Sequence, residues 1–132
     1  MVNIYVYFNG NCREAVSYYA DIFGVQVGNI TTYEELGFEN LTEEGKKRIG
    51  HTEIYYTKEK YIMFADTQES DPIVVGRGFD LTINDTYEKC QEMFNKFKEK
   101  GEVVMDFTPT QWTSGYGIIK DLFGIKWQFS AE

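Results

Sequence analysis

A chain of 132 residues with 42% hydrophobic and 17% aromatic content is long enough for one domain with its own core. Its formal net charge of −8 argues against a sequence-independent grip on nucleic acid or on anionic membranes, and no apolar run reaches the ~18 residues that cross a bilayer. The Met1-Val2-Asn3 start has neither the basic nor the apolar region of a signal peptide, and two cysteines without metal-type spacing read as reduced, buried and inert, so a cytoplasmic location is expected.

In chain order, the first strand alternates. Val2, Ile4, Val6 and Phe8 face one side, and Asn3, Tyr5 and Tyr7 the other. A helix follows, with Asn11 as expected N-cap and Glu14 three residues on, the spacing of a capping box. Cys12, Ala15, Val16, Tyr19, Ile22 and Phe23 make one stripe at helical spacing, and Gly24 stops it. Three strand-like stretches come next, at about 25–32, 51–57 and 61–66. Between the first two of them, residues 33–50 form a charged, glycine-containing insert in which 41–49 is expected to be one short helix. A connection of that length in a compact domain is often functional.

The plan then repeats. Phe79, Leu81 and Ile83 alternate with Asp80, Thr82 and Asn84, and Asp85 with Glu88 repeats the cap spacing. A helix carrying Tyr87, Cys90, Phe94 and Phe97 runs to Gly101, and strands are expected at about 102–107, 115–120 and 125–130. Two βαβββ modules result, one at about 1–66 and one at about 78–132, joined by a linker at about 67–77. Both are expected to fold as a single domain.

The closing stretch runs Trp112-Thr113-Ser114-Gly115-Tyr116-Gly117, then Asp121-Leu122-Phe123-Gly124-Ile125-Lys126-Trp127. Asp121 and Gly124 suit a tight turn, the first by accepting from backbone amides and the second by tolerating positive φ. Trp127 alternates with Ile125 and Phe129 and is expected to pack against a helix. Trp112, before the strand, is a candidate to line a binding surface.

Together with Phe8-Asn9-Gly10-Asn11-Cys12-Arg13-Glu14-Ala15 and Phe23-Gly24, this stretch resembles the vicinal-oxygen-chelate superfamily, in its PhnB-like branch near the glyoxalase and bleomycin-resistance proteins. Thr113 and Leu122 depart from that family's usual Gly and Pro. The resemblance implies an α+β fold of two tandem βαβββ modules, whose curled mixed sheets enclose a cup with helices on the outside. It also implies a homodimer. The rows containing Tyr5, Tyr7, His51, Glu53, Asp80 and Gln128 should then face the cup.

Metal-dependent members of the family place His, Gln or Glu ligands on such strands, leaving coordination positions open for a substrate. In this chain the first of these positions falls on Tyr5 or Tyr7, whose phenols keep their protons at neutral pH with a reference pKa of about 10. Another falls near Gly78, which offers no ligand. A third falls on Gln128, where the family carries Glu. His51 is the single histidine, and His51-Thr52-Glu53-Ile54 is similar to the His-Ala-Glu-Leu type of run seen in PhnB-like chains. If a divalent metal binds, the expected ligands are His51, Glu53 and Gln128; no cofactor is otherwise expected.

The reading favoured by the residues is a protein that binds a small aromatic or amphipathic molecule through Tyr5, Tyr7, His51, Glu53, Asp80, Trp112 and Gln128. Glu53 is the candidate acid or base. Two alternatives stay open: a divalent-metal lyase or dioxygenase of the glyoxalase type, and a non-catalytic dimeric interaction protein.

Overall fold

A computed structural model describes residues 1–74 and 76–132. They form two compact units, Met1–Val74 and Val75–Glu132, each with four strands in one mixed sheet. The linker expected at about 67–77 includes residue 75, which lies outside the described residues.

In the first unit β1 (Tyr5–Phe8), β2 (Thr31–Thr32), β3 (Ile49–Tyr55) and β4 (Tyr61–Asp66) lie in the order β1-β4-β3-β2. The β1–β4 pair is parallel, and the β4–β3 and β3–β2 pairs are antiparallel. Helix α1 (Cys12–Phe23) packs on β3 and β4. Helix α1 buries Cys12, Ala15, Val16, Tyr19 and Ile22 of the stripe read from the sequence, joined by Ala20, while Phe23 at its end is only half-buried. Against it the sheet presents Phe8, Ile54, Ile62 and Phe64, all buried, and Tyr19 lies within ring contact of Phe8 and Phe64. Gly24 ends the helix in the left-handed region at φ 68°, the conformation that glycine adopts without strain.

Three expectations fail in this unit. Val2 and Ile4 are exposed and precede the strand, so the aliphatic row against α1 starts later than the alternation suggested. Asn11 is the N-cap residue, but its side chain makes no cap hydrogen bond. Instead Asp66, at the far end of β4, accepts from the amides of Gly10 and Cys12 through Oδ1, both at 2.9 Å. The stretch expected as a strand at 25–32 keeps only β2 and an isolated bridge from Val27 to Ile54. Gly28 lies so close to β3 that a Cβ would stand 2.8 Å from the Glu53 carbonyl oxygen, and this contact takes the place of a continuous ladder.

The insert is fastened to the same hub. Tyr33 is buried and donates its hydroxyl to the Asp66 carbonyl at 2.6 Å. Arg48 donates to Asn9 Oδ1 and to the Thr67 carbonyl. Between them runs the expected short helix, α2 (Glu43–Lys47), whose N-cap Thr42 accepts from Gly45.

In the second unit β5 (Leu81–Asp85), β6 (Glu102–Thr108), β7 (Tyr116–Lys120) and β8 (Lys126–Ala131) repeat the first arrangement in the order β5-β8-β7-β6. Helix α3 (Tyr87–Lys100) packs on all four strands. It buries Cys90, Phe94 and Phe97, with Phe97 in ring contact with Trp127 and Phe129. Tyr87 is exposed rather than part of that stripe. The cap is one residue later than Asp85: Thr86 accepts from the Lys89 amide. Phe79 is 80% exposed, outside the strand. Both thiols are buried, and burial pushes both above the ordinary thiol range, which disfavours the reactive thiolate.

Two buried threonine hydroxyls in the first unit, those of Thr52 and Thr67, have no hydrogen-bond partner among the described residues. Thr52 is fully buried on the α1 side of β3. Valine has the same branched shape without the hydroxyl. Thr52→Val should therefore stabilise the protein by about 1 kcal/mol, read as a higher urea midpoint at unchanged slope; a lower midpoint would refute this reading of the site.

Candidate functional site

Strand alternation sends every second side chain to the sheet face opposite the helix. In the first unit the register aligns Tyr5 with Met63, and Met63 with Glu53. It also aligns Tyr7 with Ala65. Tyr5 and Tyr7 therefore share the face away from α1 with Glu53, and Tyr5 reaches His51 across β4.

There the side chains form a line of hydrogen bonds. Tyr5 Oη lies 2.7 Å from His51 Nδ1, and His51 Nε2 lies 3.3 Å from Glu53 Oε2. A carboxylate accepts, so Nε2 carries the proton in that contact. With the ring neutral, Nδ1 accepts and Tyr5 donates. Tyr5 has a second, longer acceptor in the Gly50 carbonyl at 3.4 Å. Burial, reinforced by the neighbouring Tyr7, pushes the Tyr5 phenol up to about 12, so Tyr5 works as a hydrogen-bond donor and not as a phenolate. Beside this line Tyr7 stacks on Tyr5 with ring centroids 4.9 Å apart and planes 15° from parallel. Tyr7 is 47% exposed, which leaves a ring open to solvent next to a polar chain.

The second unit carries a different cluster on the face away from α3. Gln128 of β8 sits between Thr82 of β5 and Ile118 of β7. Its Oε1 accepts from the Tyr116 hydroxyl at 2.6 Å, and its Nε2 donates to Asp80 Oδ2 at 2.9 Å. Lys126 Nζ stands 4.0 Å from Asp80 Oδ1. Trp112, 71% exposed, meets Tyr116 edge-on at 5.6 Å.

The sequence reading assigned all seven residues to one cup; the structure brings Tyr5, Tyr7, His51 and Glu53 together on the first sheet, and Asp80, Trp112 and Gln128 together about Tyr116 on the second. Tyr116 was missed as a partner. It was legible only as an alternating strand residue, because its bond to Gln128 depends on the β7–β8 register.

The closing turn forms as its residue types require. Asp121 Oδ1 accepts from the amides of Phe123 and Ile125, its Oδ2 accepts from Trp127 Nε1, and Gly124 takes φ 89°. Trp127 is buried against Phe97. Thr113, in place of the family's Gly, donates its hydroxyl to the Ala131 carbonyl and thereby ties the segment before β7 to the end of β8.

The donors do not fit a zinc-type site within either unit. Such a site takes three or more protein ligands, and among the described residues no three His, Cys, Asp or Glu side chains converge on a common point. His51 has both ring nitrogens engaged, and the Gln128 oxygen already accepts from Tyr116.

The sequence model of the glyoxalase/bleomycin resistance protein/dioxygenase superfamily matches residues 2–129. Protein YjdN of Escherichia coli (strain K12) is 25% identical over 137 residues, covering 96% of this chain and 91% of that protein. Among solved structures, protein PA1353 from Pseudomonas aeruginosa superposes with a TM-score of 0.80 at 29% identity, covering 100% of this chain and 98% of the other. The PhnB protein from Bacillus cereus superposes with a TM-score of 0.76 at 19% identity over 99% and 98% of the two chains, a likeness of fold.

Proposed function

Because the chain belongs to the glyoxalase/bleomycin resistance protein/dioxygenase superfamily, we propose that it binds a small aromatic or amphipathic molecule against the face of its first sheet turned away from α1. The observation that carries this reading is the stacked Tyr5–Tyr7 pair, with one ring open to solvent, beside the Tyr5–His51–Glu53 chain. The Tyr7 ring offers an apolar plate with a polarised edge. Glu53 Oε2 holds His51, and Oε1 is left for a ligand donor. One side of the site takes an apolar ring and the other a hydrogen-bonding end.

Binding without transformation fits this arrangement better than metal chemistry. Both ring nitrogens of His51 are engaged, by Tyr5 and by Glu53 Oε2, and the phenol holds its proton.

The test uses the single histidine. The ring signals of His51 in a proton NMR spectrum report on this face alone, because no other imidazole exists in the chain. Titration with a panel of small aromatic amines, phenols and acids should move them for at least one compound. Tyr7→Ala should weaken that compound about tenfold, the equivalent of one aromatic contact. Unmoved His51 signals across the panel, or full affinity in the variant, would remove the proposal.

A further inference from the structure

Arg48 does its structural work with one nitrogen. Nη1 donates to Asn9 Oδ1 at 3.2 Å and to the Thr67 carbonyl at 3.0 Å, which ties the end of the insert to the residues that follow β1 and β4. A guanidinium carries five N–H donors, and those on Nε and Nη2 form a fork that matches two oxygens of one oxyanion. Among the described residues neither nitrogen of that fork has an acceptor. No carboxylate oxygen there lies within 4.0 Å of the Arg48 guanidinium.

Carboxylates are not scarce in this part of the chain. The first unit holds twelve aspartates and glutamates against six lysines and arginines, yet Arg48 takes two neutral oxygens. Asp66, beside Thr67, is engaged by three backbone amides instead. The fork is also braced. A Cβ on Gly10 would stand 3.1 Å from Nη2, 3.3 Å from Cζ and 3.6 Å from Nε, so the guanidinium lies broadside on the glycine, and any larger residue at position 10 would push it away.

Two further cations meet the same junction. Arg13 of α1 donates from Nη2 to the Lys47 carbonyl at 3.4 Å, and so touches the peptide that joins Lys47 to Arg48. Arg13 and Lys47 are both exposed, and among the described residues neither is in an ion pair, with Glu14 of the first turn of α1 or with any other acid. Lys46, one position earlier, is paired with Glu43 and Glu34. In a chain of net charge −8, three successive contacts thus bring together three positive residues whose mutual repulsion a bound anion would relieve.

We propose that Arg48 is the fork of a binding site for a phosphate group where the insert meets the start of α1. Nε and Nη2 hold two of its oxygens. Arg13 and Lys47 add an attraction that a doubly charged anion feels about twice as strongly as a carboxylate does. None of these residues takes part in the ring site of the first sheet.

The probe is inorganic phosphate, exchanged for chloride at constant ionic strength and neutral pH. In ¹⁵N-labelled protein the backbone amides of Gly10, Arg13 and Arg48 should shift along one saturating curve, complete by about 10 mM, and acetate should need at least about tenfold more. Arg48→Lys keeps the charge and loses the fork, and should weaken phosphate about tenfold. Arg13→Gln with Lys47→Gln, a double change at exposed side chains, should weaken it about fivefold with the fold intact, and it carries the test if Arg48→Lys does not fold. Glycerol phosphate beside inorganic phosphate tells a monoester from the free ion, the tighter of the two naming the source. No saturating shift, equal affinity for acetate, or full phosphate affinity in a folded Arg48→Lys or in the double variant would each overturn the assignment.

Discussion

Asp66→Ala should be the most destabilising single substitution in the first unit, costing about 3–5 kcal/mol. Asp66 is 1% exposed and holds three backbone amides at 2.9 Å: Gly10 and Cys12 at the start of α1, and Ile49 at the start of β3. Removing the carboxylate leaves the buried amides of Cys12 and Ile49 without partners, each costing ~1–3 kcal/mol, and the part-buried Gly10 amide at a smaller cost, with the sum reduced by local relaxation. Urea unfolding should show a lower midpoint, and amide exchange at Gly10, Cys12 and Ile49 should lose protection first. Asp66→Asn separates hydrogen bonding from volume. Its oxygen can serve Gly10 and Cys12, but its NH₂ then faces the Ile49 N–H, donor against donor. The asparagine variant should therefore remain destabilised although its size is unchanged, and wild-type stability in that variant would show that the carboxylate is not the hub.

Asp121→Ala should be the corresponding lesion in the second unit, at about 2–4 kcal/mol. Its carboxylate closes the β7–β8 turn on the amides of Phe123 and Ile125, and also satisfies the buried indole of Trp127. The loss is specific to one observable: the Trp127 indole N–H, bonded at 2.9 Å in a residue only 1% exposed, should shift upfield and lose protection from exchange. The effect on stability combines an unpaired buried donor with a turn deprived of its template. If the indole signal stayed in place, Trp127 would have another acceptor and the account would fail.

These two aspartates differ in how far the sequence discloses them. Asp121 acts on residues two to six positions away, so its residue type and Gly124 define the turn directly. Asp66 caps a helix that begins 54 residues earlier, and nothing local to Asn11 reveals that the cap comes from another strand. The capping-box spacing at Asn11 and Glu14 was a valid local pattern overridden by a stronger, charged partner from the sheet. The strand expected at 25–32 failed for a related reason, because Gly28 meets the β3 backbone in a contact that exists only after the chain folds back.

The candidate site followed the same rule. Alternation put Tyr5 and Tyr7 on one face, and His51 with Glu53 on one face, since period two needs no partner strand. That these faces meet, and that Tyr5 and Glu53 take opposite nitrogens of one imidazole, depends on β4 lying between β1 and β3. In the second unit Gln128 looked like a weakened metal ligand while only its position was known. With Tyr116 and Asp80 on either side it becomes an amide of fixed orientation.

The strand orders β1-β4-β3-β2 and β5-β8-β7-β6 are alike, and in each the opening strand pairs in parallel with the last strand of its own module. During synthesis this matters. The ribosome delivers the last strand of the first sheet with Asp66 and the first strand of the second only from Leu81, at ~5–20 residues per second. The first β1–β4 pairing thus becomes available before any strand of the second sheet exists to compete for either edge. Synthesis in this order gives the first sheet a head start over any exchange of partners between the two like-ordered sets of strands. Refolding the 132-residue chain from denaturant offers no such head start.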